Sequence, residues 1–91
     1  MNLLTEKEYD AIRRALDQGR EITIYREMRD YRIIVETHPA PEVWRVPMLI
    51  RVQQWRRRDA EGNWLGHMYT TQNFPSVEEM RRILKTEEVL V

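Results

Sequence analysis

From Met48 the chain alternates between apolar and polar positions. Met48, Ile50 and Val52 fall on one side of an extended backbone, and Arg51, Gln53, Trp55 and Arg57 fall on the other. A period of two is the mark of a strand with one buried face. The polar stretch Asp59-Ala60-Glu61-Gly62 follows, and Asn63–Phe74 then reads as a returning strand. Ala60-Glu61-Gly62 suits a three-residue hairpin loop with Gly62 in the left-handed position. That register sets Asp59 opposite Asn63, Arg57 opposite Leu65, Trp55 opposite His67 and Gln53 opposite Tyr69.

The pattern changes to a helical period at both ends of the chain. Thr5 and Glu8 have the spacing of a capping box, with Leu4 and Tyr9 as the apolar staple across it. Tyr9, Ile12 and Leu16 then share one helix face, and Gly19 is placed to end the helix. Ser76 and Glu79 repeat the capping box before Val77, Met80, Ile83 and Leu84, the apolar face of a second helix. Glu87–Val91 fits either an extension of that helix or a short terminal strand.

Between the first helix and Met48 the pattern predicts another hairpin. Arg20–Met28 alternates, with Ile22 and Ile24 on one face and Thr23 and Tyr25 on the other. Arg29-Asp30 is the turn, and Tyr31–His38 is the second strand. Its Ile33-Ile34-Val35 run breaks the alternation, as in strands buried on both faces, and places it centrally in the sheet. Pro39-Ala40-Pro41 ends it, since proline cannot donate to a ladder. Residues 39–47 form the one irregular connection, whose Val43, Trp44 and Val46 are expected to dock on the sheet. The glycines at 19, 62 and 66 are read as a cap, a turn and a strand position.

The predicted fold is α+β: a four-stranded antiparallel sheet of two hairpins, flanked by an N-terminal and a C-terminal helix, in the order α-β-β-β-β-α. Each helix has one apolar stripe, so both are expected on the face carrying Ile22, Ile24, Ile50 and Val52. The opposite face is then open, or covered by residues 39–47 or by another subunit.

Composition narrows the functional classes. At 91 residues the chain is expected to form a single domain over 1–91, burying only roughly 60–65% of its unfolded surface. Strand two is apolar on both faces, and so short a chain has few elements to cover both, so a homodimer is expected. There is no cysteine, which removes disulfides and thiolate metal sites and is compatible with a reducing cytosol. Met1-Asn2-Leu3-Leu4 leads directly into charged residues, so no signal peptide is read. No apolar run approaches the ~20 residues that span a bilayer. The expectation is a cytoplasmic protein without membrane contact.

Lys plus Arg and Asp plus Glu balance at 15 each, whereas nucleic-acid-binding domains are usually basic. The balance is not uniform along the chain: Arg51, Arg56, Arg57 and Arg58 outweigh Asp59 and Glu61 within residues 51–75. Lys7 and Lys85 are the only lysines, so nearly all the positive charge is guanidinium, which forks onto anions and stacks on rings.

The inventory for catalysis is thin. Ser76 is the only serine, and helix capping accounts for it. His38 and His67 have no metal-ligand spacing. Glu78 and Glu79 belong in the first turn of a helix, where its dipole favours carboxylates. No cofactor, metal or catalytic residue is expected. What remains is a surface. Arg51, Gln53, Trp55, Arg57, His67 and Tyr69 are expected to share the second sheet face, with Leu65, Thr71 and Tyr25 beside them. Aromatic rings interleaved with arginine on a sheet can stack single-stranded bases. The same residues serve equally as a partner or dimer interface. The expectation is a small binding module, with single-stranded nucleic acid or a protein partner as the two alternatives.

Residues 50–84 also resemble the C-terminal half of the positive-cofactor type of single-stranded DNA-binding transcriptional coactivators. The shared features are the Ile50-Arg51 strand, the Glu61-Gly62-Asn63-Trp64 tip and the acidic helix begun by Ser76. The resemblance implies a dimer that grips single strands on basic sheet ridges. The N-terminal helix lies outside that pattern, and Met68-Tyr69 stand where it has a basic residue and glycine.

Overall fold

Each sequence cap starts a helix where its spacing predicts. The computed structural model describes the backbone of residues 4–90 and the side chains of residues 4–84. Thr5 caps α1 (Glu6–Gln18): its hydroxyl accepts from the Glu8 amide at 3.1 Å, and the Glu8 carboxylate accepts from the Thr5 amide at 2.8 Å. Gly19 ends the helix at φ 67°, a conformation that costs a residue with a Cβ but not glycine. Ser76 Oγ accepts from the Glu79 amide at 3.2 Å and opens α2 (Val77–Leu90). Of the two readings of residues 87–91, the helical one holds through Leu90; Val91 and the leading Met1–Leu3 lie outside the described residues.

Four strands lie between the helices: β1 (Thr23–Met28), β2 (Tyr31–Pro39), β3 (Met48–Trp55) and β4 (Tyr69–Phe74). They form one antiparallel meander in the order β1-β2-β3-β4. The element order is the predicted α-β-β-β-β-α, and the two middle strands supply the sheet side of the core. Ile33 and Val35 of β2 and Ile50 and Val52 of β3 are at most 1% exposed. They pack with Leu4, Tyr9 and Ile12 from the α1 side, and with Phe74, Val77, Met80 and Leu84 from β4 and α2. Both helices therefore cover the same face, as their single apolar stripes require.

Two buried polar residues complete that layer. Thr37 Oγ1 donates to the Arg20 carbonyl at 2.7 Å and accepts from the Ile22 amide at 2.9 Å, which ties the entry of β1 to β2. Gln54 Oε1 accepts from the Tyr31 hydroxyl at 2.6 Å. At the surface, Glu6 pairs with Arg81 and Glu78 with Arg13, linking the helices.

The connection 39–47 departs from expectation. Val43 is 82% exposed, and Trp44, in a 3-10 turn over Glu42–Trp44, is also exposed. Neither docks on the sheet. The cause is the hairpin itself: Ala40 donates to the Pro47 carbonyl at 3.0 Å, so β2 and β3 stay paired to the edge of the loop and Val43 and Trp44 lie past the sheet end. Val46, also expected to dock, is half-buried and lines a pocket with Leu16, Met48 and Val77.

Thr37→Val keeps the side chain's shape but removes its donor and acceptor, leaving the Arg20 carbonyl and the Ile22 amide without that partner. It is expected to cost about 1–3 kcal/mol in urea unfolding. Thr5→Ala and Ser76→Ala are each expected to cost about 0.5–2 kcal/mol; an unmoved urea midpoint for both would contradict the cap assignments.

Candidate functional site

The face away from the helices is built by strand parity. Core residues at 33, 35, 50 and 52 send their neighbours to the opposite side. Reading across the paired positions, one rung is Glu27, Arg32, Trp55 and Tyr69; the next is Tyr25, Ile34, Gln53 and Thr71; the third is Thr23, Glu36, Arg51 and Asn73. No helix covers these rungs, and Tyr25 is 54% exposed.

The first rung is a stack. The Arg32 guanidinium lies 4.1 Å from the Trp55 ring centre, and the Tyr69 ring lies 4.6 Å from it at a 40° tilt. Arg32 and Tyr69 reach Trp55 from the strands on its two sides. Arg32 also sits 5.8 Å from the Tyr25 ring centre, so one guanidinium bridges two aromatics. Its Nε is buried and has no acceptor; ring faces take the place of a carboxylate partner. On the far side, the Tyr69 phenol oxygen accepts from Thr71 Oγ1 at 2.6 Å and from Gln53 Nε2 at 2.7 Å. These two bonds favour the phenolate and lower the Tyr69 pKa from its ordinary value.

The β3–β4 hairpin closes one end of this face. Asp59 organises its tip: Asp59 Oδ1 accepts from the Glu61 and Asn63 amides, both at 2.9 Å, and Gly62 takes φ 90°. Beyond the tip the strands bend back over the sheet end. Arg58 stacks 4.3 Å from the Trp64 ring centre. Both then bond Glu27 on the far edge strand, Trp64 Nε1 at 2.8 Å and Arg58 Nη2 at 2.9 Å. The indole bond, with the charges of Arg58 and Arg32, holds the Glu27 carboxyl below its ordinary range against a desolvation cost.

Of the residues expected on this face, Arg51, Gln53, Trp55 and Tyr69 are there, with Thr71 and Tyr25. Arg57 and His67 lie outside the paired strands. Arg57 lies past the end of β3 in the tip, exposed, its carbonyl accepting from Leu65. His67 sits in a 3-10 turn, Gly66–Met68, that precedes β4. The predicted pairs Asp59–Asn63 and Arg57–Leu65 hold through their hydrogen bonds. The turn then takes up residues, so Trp55 meets Tyr69 rather than His67, and Gln53 meets Thr71 rather than Tyr69. Gly66 is correspondingly a turn residue, not a strand one. A shift of two leaves every β4 side chain on its predicted face. Arg32, Glu36 and Glu27 are additional members of the face. The alternation Arg32, Ile34, Glu36 was present in the sequence but masked by the apolar triplet at 33–35.

Among the described residues, no three His, Asp or Glu side chains converge as a metal site, and no helix is long and apolar enough to cross a membrane. Comparison with protein-family models, with curated proteins and with solved structures finds no match. The resemblance of residues 50–84 to the coactivator pattern gains no support from it.

The Glu27 contact makes a pH prediction. Because the folded carboxyl titrates below its ordinary value, its contribution is complete above that value and is lost as pH falls through the lower, folded one. The Trp64 indole N–H resonance is expected to shift with a midpoint below the usual glutamate range. In Glu27→Gln that titration should vanish.

Proposed function

We propose that this protein is a small, non-enzymatic, cytoplasmic protein-interaction module, and that its working surface is the open sheet face around Tyr25, Arg32, Trp55 and Arg51. One observation carries the choice of a protein over a nucleic acid. The Trp55 ring is already flanked by Arg32 at 4.1 Å and Tyr69 at 4.6 Å, so a base cannot stack on it without displacing one of them.

Charge supports the same choice. The rungs carry Glu27 and Glu36 beside Arg32 and Arg51, and Arg58 also bonds Glu27, so three arginines meet two glutamates, a small excess beside the basic patches that gather phosphates. The arginine run at 56–58 is dispersed: Arg58 bonds Glu27, Arg56 is half-buried and Arg57 is exposed in the tip. What the face offers is a Tyr, Trp and Arg cluster with a half-buried Ile34 at its centre and Gln53, Thr71 and Asn73 at its rim. Aromatic and Arg anchors ringed by polar groups are the composition of protein interfaces.

The test is direct. A labelled single-stranded DNA or RNA should give no anisotropy change at low salt with tens of micromolar protein. A photo-crosslinking residue at Tyr25 should capture a protein partner that the same residue at Lys7, on the helix side, does not. Tyr25→Ala should weaken that complex by about 2 kcal/mol or more if the ring is an interface anchor. Oligonucleotide binding whose salt dependence flattens in Arg51→Ala would overturn the reading in favour of a nucleic-acid face.

A further inference from the structure

We propose that β4 is a self-pairing edge, and that two copies of this chain join β4 to β4 in antiparallel register about Thr71 to make one continuous sheet. The inference is independent of what the open face binds. It starts from where the backbone groups of the last strand point.

In an antiparallel ladder, residues alternate between those that bond the neighbour and those that face away. Thr37 donates its amide to the Ile22 carbonyl at 3.0 Å, so Thr37, Val35 and Ile33 spend their backbone groups on β1. Ile34 and Glu36 therefore turn theirs to β3, onto Gln53 and Arg51. Val52 and Gln54 in turn bond β4, at Gln72 and Thr70. On β4 that leaves Thr71 and Asn73 with their N–H and C=O groups, and Tyr69 with its C=O, directed outward along the free edge of the sheet; the Tyr69 N–H is already spent on the Gly66 carbonyl.

Edge strands are normally protected by charge, proline or a covering loop. The other edge has such protection. β1 carries Arg26 and Glu27, and its end is capped by the hairpin tip, with Arg58 Nη2 on Glu27 and 3.4 Å from the Met28 carbonyl. β4 has none of these devices. Its Tyr-Thr-Thr-Gln-Asn-Phe sequence contains no charged residue and no proline.

A second copy is the occupant this edge fits. A twofold axis through Thr71 pairs Thr71 with its own mate and Tyr69 with Asn73, each in a hydrogen-bonding position. Thr71 exchanges two backbone bonds with its mate and each Asn73 amide donates to a Tyr69 carbonyl, about four bonds in all, and with no charge on the strand no like charges meet. The same axis sets Gln72 opposite Thr70 of the second copy. Gln72 Oε1 is buried and has no hydrogen-bond partner, and the exposed Thr70 hydroxyl is a donor of the right reach for it. Such an isologous pairing is the commonest form of dimer. It keeps both open faces on one side, so two copies of the Trp55 surface lie side by side.

Sedimentation equilibrium of the whole chain tests this. At high micromolar concentration the mass should approach twice 11.1 kDa. Thr71→Glu and Thr71→Lys each place like charges across the axis and should sediment as monomers, with circular dichroism showing the native fold. An equal mixture of the two should recover the dimer, because opposite charges then face each other. Amide exchange should slow with concentration at Thr71 and Asn73, while Thr70 and Gln72 stay protected at every concentration. A wild type that remains monomeric overturns the proposal. So does a dimer indifferent to both substitutions, or a mixture of the two variants that stays monomeric.

Discussion

One apolar layer governs this molecule. Ile33, Val35, Ile50 and Val52, contributed by the two interior strands, are covered by Tyr9, Ile12, Val77, Met80 and Leu84. Full burial of side chains of this size is worth about 1.5–3 kcal/mol each, and no second layer of comparable size exists to compete with it among the described residues. The strands therefore have no freedom in parity. A slip by one residue would exchange Ile50 and Val52 for Arg51 and Gln53 against the helices. The composition of the open face is a consequence of that constraint: it holds whatever the alternate positions encode, here arginine, tryptophan, tyrosine and two glutamates.

The same logic separates what the sequence made legible from what it did not. Helix starts were readable because capping is local: the reciprocal Thr5–Glu8 box and the Ser76 hydroxyl on the Glu79 amide each act within one turn. Strand parity was readable because Met48, Ile50 and Val52 recur at period two. His67 was misplaced because the hairpin was treated as regular from Gly62 to Phe74, and the 3-10 turn at Gly66–Met68 carries no local signature strong enough to reveal it. Trp55 and Tyr69 nevertheless remained on one face, since the shift was even. The long-range contacts were not legible at all. Nothing in residues 56–64 says that Arg58 and Trp64 reach a glutamate on the opposite edge strand. Val43 and Trp44 misled in the other direction: their apolar character suggested docking, but a hairpin paired through Ala40 and Pro47 carries them away from the sheet.

The open face gains order without a covering layer by bonding to itself. Cross-strand pairs between aromatic and cationic groups supply the energy that burial supplies on the other side. Arg32 ties Tyr25 to Trp55 across the first three strands, and Tyr69 extends the contact to the fourth with its phenol held by Gln53 and Thr71. A row linked in this way presents few rotatable side chains to a partner. A surface whose anchors are already fixed loses less conformational entropy on binding, which favours recognition of a shaped protein surface over loose stacking.

The two edges of the sheet divide the remaining work. At β1 the hairpin tip closes the row and ties down the outermost carboxylate, so growth of the sheet in that direction is blocked by Arg58 and Trp64. At β4 no charge interrupts the strand, and an orphaned amide oxygen lies on its helix side. Joining two copies there would give an eight-stranded sheet with a capped edge at each end and no free edge between. The asymmetry has a physical sense. The tip that crosses the sheet end springs from the β3–β4 turn, and its Arg58 and Trp64 bond the far edge. In the proposed dimer a second copy would bring β4 a strand of identical length, neutral composition and matching register.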